Sequence, residues 1–453
     1  MKQVRQRTVF VFVIVALFLL GLGIFCIRYL SQGRAWATFA ANGSAYTGGI
    51  LSAGQITDRS GTVLYDGSSQ SYNENEGIRE ATLHAVGDEA GSISTSALSQ
   101  FQDQLIGYNL LTGTTGGGHR VQLTLDAQLN QVAYDALDGR KGTVGIYNYK
   151  TGEILCMVSA PAFDPADPPE IEDGDERYDG VYMNRFLSST FTPGSVFKTV
   201  TAAAALENLP DLLERTFVCT GSSQIGADTI TCPYVHGTMD FYEAMASSCN
   251  CTFAQLAVEL GSETLQRYAQ SAGLLSSQSI SGIETAAGTY DVSDTASNVG
   301  WSGVGQYDDL VNPCALMTMM GAIAGGGTAR QPYLLQQETN LSGSHVYATS
   351  TSSSISLWTE STCRTLQKIL RNNVTSNYGQ SQFGDLAVCA KSGTAEVGTG
   401  SAPHSWFAGF VADEELPLAF VVLVENGGGG ASVAGRIAAR VLNEAAELRA
   451  ILE

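Results

Sequence analysis

The strongest hydropathy feature is an uncharged apolar run over residues 8–27, twenty positions without a break. That length is enough for a helix to cross a bilayer. Lys2, Arg5 and Arg7 precede the run, which predicts a cytoplasmic amino terminus with the bulk of the chain on the far side. A cleaved signal peptide is the rival reading, with Ala35-Trp36-Ala37 as a possible cleavage site, but its apolar segment would be unusually long. Beyond the anchor the pattern changes period. Residues 55–64 read as strand, turn and strand, and 112–118 (Thr-Gly-Thr-Thr-Gly-Gly-Gly) as a linker. Residues 125–137 form an amphipathic helical pattern, with Asp126 near its start and Gly139 past its end. Two apolar runs, 144–147 and 154–158, flank a turn, and an Ala-rich helix runs through Leu206. Near the end, 406–412 and 418–424 read as the strands of a hairpin, and a final helix covers about 431–451. Strand pairs flanked by helices at both ends predict an α+β fold with an antiparallel β-sheet. The divisions are a tip and transmembrane helix at 1–30, a small β-containing segment with its linker at 31–118, and the main domain at 119–453.

Composition narrows the function by exclusion. A formal net charge of −20 over 453 residues argues against nucleic acid as a partner. Eight of the nine cysteines lie beyond the anchor. Cys219 and Cys232 flank a Gly- and Ser-containing loop and are the best disulfide candidates. Cys249 and Cys251, two apart on a predicted helix, are expected to be unpaired. No Cys or His spacing stands out as a metal-ligand pattern, so neither metal nor cofactor is expected.

The candidate chemistry begins at Ser195-Val196-Phe197-Lys198. A serine hydroxyl needs a base within hydrogen-bond reach to act as a nucleophile. A lysine three residues on shares its helical face, and burial near positive charge lowers a lysine's pKa toward that role. Phe191-Thr192-Pro193-Gly194 breaks regular structure, placing Ser195 where loop becomes helix. Among the six lysines, Lys198 alone has a serine at this distance before it. Two further elements follow: Ser248-Cys249-Asn250, in a segment (244–254) that reads as helical, and Lys391-Ser392-Gly393-Thr394 after the apolar run 386–390. Lys150-Thr151-Gly152 spells the third element more literally, but it lies ahead of the nucleophile, between two apolar runs, and is followed by Glu153. It reads as a hairpin turn. Ser71-Tyr72-Asn73, in a polar stretch, reads as loop.

Together the three elements match the motif set of penicillin-binding proteins and serine β-lactamases. Asn184-Arg185, His236-Gly237, Gly303-Val304-Gly305-Gln306, and Ser159-Ala160-Pro161-Ala162-Phe163-Asp164-Pro165 add to the likeness. Over roughly residues 120–453 the chain resembles a class B penicillin-binding protein, a peptidoglycan D,D-transpeptidase. The resemblance implies an antiparallel sheet flanked by helices, an all-helical part carrying the middle motif, and a pedestal opened by residues 55–64. It implies a serine acyl-enzyme formed on D-Ala-D-Ala stem peptides of peptidoglycan, and acylation by β-lactam antibiotics. Ser195 would be the nucleophile, Lys198 its base and Ser248 a proton relay. Asn250 would hold Lys198 or the stem's amide. Lys391, Ser392 and Thr394 would bind the terminal carboxylate, with Gly393 allowing close backbone approach. The N–H groups of Ser195 and Thr394 would form the oxyanion hole. A polytopic membrane glycosyltransferase is the expected partner. The chain ahead of the linker is too short for the glycosyltransferase domain of bifunctional relatives, and no wall-binding module is expected after the last helix. Two other functions fit part of the pattern: a serine β-lactamase, whose deacylating base the motifs do not identify, and a catalytically idle cell-wall scaffold.

Overall fold

A computed structural model describes residues 2–37, 54–106, 108–109, 113–114, 118–293, 295–340, 343–349, 354–398 and 400–448. The predicted span is one helix, Lys2–Ala37, whose large apolar side chains from Val4 to Leu30 are exposed. By length and composition its segment Lys2–Gly33 can cross a membrane. Of the predicted linker, Gly113–Thr114 pairs antiparallel with Tyr108–Asn109, and residues 112 and 115–117 lie outside the described residues.

Five antiparallel strands form the main sheet, in the order Val388–Ala395, His404–Val411, Leu418–Val424, Gly142–Asn148, Ile154–Ala160. All four central-to-edge pairings are antiparallel, as predicted. The run Leu418–Val424 shows why its pattern is apolar throughout rather than alternating. Leu418, Phe420, Val422 and Val424 face one buried cluster with Phe407, Ile437 and Leu442. Ala419, Val421 and Leu423 face another with Leu316, Met319 and Met320. Successive side chains on a strand point to opposite faces, so a strand covered on both sides is apolar at every position. The helices Ala434–Glu447 and Ala127–Leu137 supply the first cover, and Pro313–Ala324 contributes to the second. The Ala127–Leu137 helix starts where predicted, its first turn capped by the Asp126 side chain, which accepts from Leu129 N–H. Of the predicted final helix, residues 449–451 lie outside the described residues.

Lys150-Thr151-Gly152 is the turn between the strands Gly142–Asn148 and Ile154–Ala160, with Gly152 at a positive φ of 91°. Ser71-Tyr72, predicted as loop, instead forms a short edge strand paired with Asp66 and Tyr65. The division at residue 118 does not follow the sheet. The N-terminal strands Gln55–Thr57, Val63–Asp66 and Ser71–Tyr72 are joined by Arg120–Leu123, Leu335–Thr339 and His345–Ala348 in one six-stranded sheet. Arg120–Leu123 lies parallel to Gln55–Thr57, which only a long crossover permits, and Leu335–Thr339 adds to it antiparallel.

Candidate active site

The nucleophile loop is held by glycine on both sides. Gly194 adopts a φ of +56°, and its N–H donates to the Gly305 carbonyl at 2.8 Å. A Cβ on Gly305, itself at φ +82°, would sit 1.9 Å from the Gly194 oxygen, so only glycine fits there. A single 3-10 turn, Gly194–Phe197, then leads into the helix Lys198–Asn208. Lys198 is fully buried, with its ammonium 5.7 Å from the Phe253 ring centroid.

The middle motif departs from the uninterrupted helix that its sequence predicts. The helix Phe241–Ala246 stops, and a second begins at Asn250. Ser248 has φ +54°; its N–H donates to Met245 O and the Cys249 N–H to Ala244 O. Those two bonds and the left-handed residue make a Schellman stop, a position that usually carries glycine. A serine there disguises the stop in the sequence. The kink lifts the Ser248 hydroxyl out of the helical array and points it at two lysines.

The third motif lies on the edge strand Val388–Ala395, as predicted. Gly393 does allow a close approach, but to the nucleophile loop: an added Cβ would lie 2.9 Å from Pro193 O and 3.1 Å from Val196 Cγ1. Lys391 is fully buried, Ser392 half-buried, and Thr394 exposed, with its Oγ1 accepting from Gly430 N–H at 3.3 Å.

These elements bring the predicted residues together. Lys198 Nζ lies 3.0 Å from Ser195 Oγ, 3.1 Å from Ser248 Oγ, 2.7 Å from Ser248 O and 2.7 Å from Asn250 Oδ1. Lys391 Nζ lies 3.0 Å from Ser248 Oγ and 2.8 Å from Ser392 O. Asn250 Nδ2 donates to Thr231 O at 2.8 Å. Ser195, Ser248, Asn250, Ser392 and Thr394 line a cleft of about 620 Å³. Burial pushes the Lys198 ammonium well below its ordinary pKa, and the charge of Lys391 pushes it further. Burial lowers Lys391 to about 7.

Sequence reasoning missed Tyr378. The segment Val374–Tyr378 is a wide π-type turn ending in a half-buried tyrosine. Tyr378 Oη accepts from the Ser392 N–H at 3.1 Å and lies 3.1 Å from Ser392 Oγ and 3.3 Å from Lys391 Nζ. One residue earlier, Asn377 Nδ2 donates to Ala246 O at 2.6 Å. The turn therefore braces the second and third motifs against each other, a role π turns often serve at functional sites. The only local signal is a tyrosine before Gly379. The cleft also takes in Trp301, Gln306 and Glu396, of which only Gln306 belongs to a recognised signature. Trp406, expected to be core, is fully buried, its Nε1 donating to Thr192 O at 2.9 Å.

The cysteines differ from expectation. Cys219 and Cys232, the best disulfide candidates in the sequence, are free thiols. Cys232 Sγ lies 3.7 Å from Cys249 and 3.5 Å from Cys251, which are unpaired as expected. The histidines and cysteines that look scattered along the chain are not all scattered in space. Cys219, Cys232, His236 and Cys249 place their donor atoms within 4.8 Å of one another. Spacing hid this because four separate segments supply the four residues.

Residues 142–443 match the penicillin binding protein transpeptidase domain family. The chain is 29% identical over 393 residues to the peptidoglycan D,D-transpeptidase PbpA of Mycolicibacterium smegmatis, covering 79% of this chain and 78% of that one. Among solved structures, it superposes on penicillin-binding protein A from M. tuberculosis in an imipenem acyl-enzyme complex with a TM-score of 0.75. That match has 25% identity over 87% of this chain and 98% of the other. The D,D-transpeptidase domain of a peptidoglycan glycosyltransferase from Eggerthella lenta superposes with a TM-score of 0.74 and 25% identity, over 88% of this chain and 99% of the other.

Proposed function

The chain belongs to the penicillin-binding protein transpeptidase family, and from that premise we propose that it is a peptidoglycan D,D-transpeptidase. Its substrate is a stem peptide ending in D-Ala-D-Ala, and its covalent intermediate is an ester on Ser195.

One observation carries the mechanism: the partners of Lys198 Nζ are of two kinds. Ser248 O and Asn250 Oδ1, both at 2.7 Å, can only accept hydrogen bonds. A neutral amine has two N–H bonds and one lone pair. Both N–H bonds are committed to these two oxygens, which leaves the lone pair for the Ser195 hydroxyl at 3.0 Å. The low pKa of Lys198 makes the neutral form available. Lys198 takes the Ser195 proton as Oγ attacks the carbonyl of the penultimate D-Ala. Ser248 Oγ, within hydrogen-bond distance of both lysines, passes a proton to the departing nitrogen of the terminal D-Ala. The Ser195 and Thr394 N–H groups face the developing oxyanion, an interaction worth about 3 kcal/mol per donor. Lys391 supplies positive charge for the terminal carboxylate, with Ser392 and Thr394 as hydroxyl donors. The side-chain amine of a second stem then attacks the ester, which completes the cross-link and frees Ser195. A β-lactam presents a strained amide to the same atoms and stops at the ester.

The apolar helix with Lys2, Arg5 and Arg7 before it supports a single-pass anchor with the catalytic part outside the cytoplasm. Through that anchor and the six-stranded sheet the chain would work beside a polytopic membrane glycosyltransferase; co-purification in mild detergent without any such enzyme counts against this pairing. The central test labels intact spheroplasts with a fluorescent penicillin that does not enter the cytoplasm and locates the adduct by peptide mass spectrometry. One long-lived adduct on Ser195, absent from Ser195→Ala, is expected. Rapid drug turnover instead identifies a β-lactamase, and intact drug with folded protein identifies an idle scaffold.

A further inference from the structure

One buried acid takes no part in the chemistry derived above. Asp309 is fully buried, and among the described residues its carboxyl hydrogen-bonds a single side chain. That partner is the equally buried Ser302, whose Oγ lies 3.0 Å from Oδ1 and 2.8 Å from Oδ2. Ser302 stands in the last turn of the helix Ala296–Gly303 and Asp309 seven residues later, so their contact ties together the two ends of the loop that carries Gly305. This loop runs along the nucleophile loop and holds it at two points. Gly194 N–H donates to Gly305 O at 2.8 Å, and Val311 and Phe191 exchange backbone bonds of 2.9 and 3.0 Å. Gly305 N–H in turn donates to Ser302 O at 2.7 Å, so the residue that meets Asp309 also fixes the residue that grips Gly194. From this geometry we propose that Asp309 and Ser302 are positioning residues for Ser195, acting through Gly305 and Gly194, and that Asp309 does so as the uncharged acid. The inference rests on the transpeptidase reading of Ser195.

The uncharged form follows from what surrounds the carboxyl. An ionised carboxylate so deeply buried needs a cation or several N–H donors to offset its desolvation. Among the described residues Asp309 has no ion pair, and the one hydroxyl proton of Ser302 must serve two oxygens. The titratable groups that face it are Tyr290 and the neighbouring Asp308, neither of which supplies positive charge. Burial holds the Asp309 pKa well above the ordinary carboxylate range, and Asp308 adds to the shift.

As the neutral acid, Asp309 donates to Ser302 Oγ and leaves Ser302 a proton of its own to give. The acceptor at hand is Tyr290 Oη, which is buried without a hydrogen-bond partner and close enough for a Ser302 bond to bear on its ionisation. The Tyr290 ring stacks on Phe197, with centroids 5.8 Å apart and planes 19° apart. Phe197 belongs to the same turn as Ser195 and immediately precedes Lys198. The brace therefore reaches the nucleophile turn through Gly194, just before Ser195, and through Phe197, just after it.

The test is the kinetics of benzylpenicillin acylation by the full chain in detergent, with the acylation rate constant separated from the affinity of the first, non-covalent complex. Ser302→Ala and Asp309→Ala should each slow the acylation step by about 10- to 100-fold and leave that affinity unchanged. Both lose the same bond, so the double variant should be no slower than either single one. Asp309→Asn, whose amide N–H can replace the acid's O–H, should recover the rate that Asp309→Ala loses. Its stability in urea should also rise relative to wild type as pH rises above about 4. The sign follows from the raised pKa: the stability that the Asp309 proton contributes is complete below the unfolded pKa and is lost as pH climbs toward the folded one. Ser302→Ala decides the matter if Asp309→Ala fails to fold. An alanine variant that acylates at the wild-type rate overturns the proposal, and so do additive losses in the double variant. Asp309→Asn as slow as Asp309→Ala overturns the uncharged form. A wild-type chain that takes no penicillin at Ser195 fails the transpeptidase reading and this inference with it; an acylated wild type matched by both alanine variants fails this inference alone.

Discussion

At the residue scale, the site depends on two buried lysines that cannot both be charged cheaply. Each is fully buried, and Ser248 Oγ lies between them. Desolvation lowers both pKa values, and the charge of Lys391 adds to the lowering at Lys198. As pH rises, Lys198 therefore gives up its proton first and Lys391 at about 7. Nucleophile activation needs Lys198 neutral; carboxylate binding needs Lys391 charged. The second-order rate of acylation by a carboxylate-bearing penicillin should therefore rise from acid pH as Lys198 deprotonates. It should fall as Lys391 loses its charge at about 7. Lys391→Ala removes the repulsion and should move the rising limb to higher pH while abolishing the falling one. Rates measured from about pH 4 to about pH 10 check both limbs. A wild-type rate that climbs steadily through neutral pH would show that the charge of Lys391 does not bind the ligand. Lys198 was legible in the sequence because chemistry fixes its spacing from Ser195, and Lys391 because Lys391-Ser392-Gly393-Thr394 spells the third motif after an apolar run. Tyr378, which holds Lys391 and Ser392, was not, because a half-buried tyrosine after a helix has no pattern that separates bracing from packing.

At the scale of elements, strands and caps were readable and the functional break was not. The capping box at Asp240, with Glu243 returning to its N–H, starts the short helix Phe241–Ala246 in the usual way. Its stop is concealed, because the left-handed position is filled by Ser248 rather than glycine. A non-glycine residue there costs about 1 kcal/mol, accepted so that a hydroxyl can stand between two lysines. Two variants separate the backbone from the side chain. Ser248→Ala and Ser248→Gly both remove the hydroxyl and should both slow acylation. Ser248→Gly should be more stable than Ser248→Ala by about 1 kcal/mol in urea unfolding, because glycine relieves the positive φ. Equal stabilities would mean that the turn stores no strain. The cysteines teach the same lesson about distance. Residues 219, 232, 236 and 249 fall into no recognised ligand spacing; the pairing of Gly237 with Cys219 joins two of their four segments, and the Cys232 N–H bond to Gly221 O brings in a third.

At the scale of the whole molecule, the chain does not fold as beads on a string. Its N-terminal strands are completed by Arg120–Leu123, Leu335–Thr339 and His345–Ala348, so one sheet needs residues from both sides of the predicted boundary. Leu64, Val86, Val121 and Leu123 share a single buried cluster with Val200 and Met320. Arg79, on the N-terminal helix Glu76–Val86, makes a two-pronged contact with Asp164, through Nε at 2.7 Å and Nη2 at 2.5 Å. Composition drew the boundary at the Gly-rich stretch, but sheet register ignores composition and follows hydrogen bonding. Strands so far apart in sequence must close a long loop before they gain any contact, which makes their pairing a property of the complete fold. The segment ahead of the linker and the catalytic part should therefore unfold in one calorimetric transition. Arg79→Ala should lower its midpoint, by a loss of about 1–3 kcal/mol for charge-assisted bonds at a largely buried contact, without splitting it. Two transitions, with only the earlier one moved by Arg79→Ala, would show that the N-terminal segment is an independent domain after all. One shared transition instead means that damage to the six-stranded sheet is felt at Ser195, since both lie on the same cooperative unit.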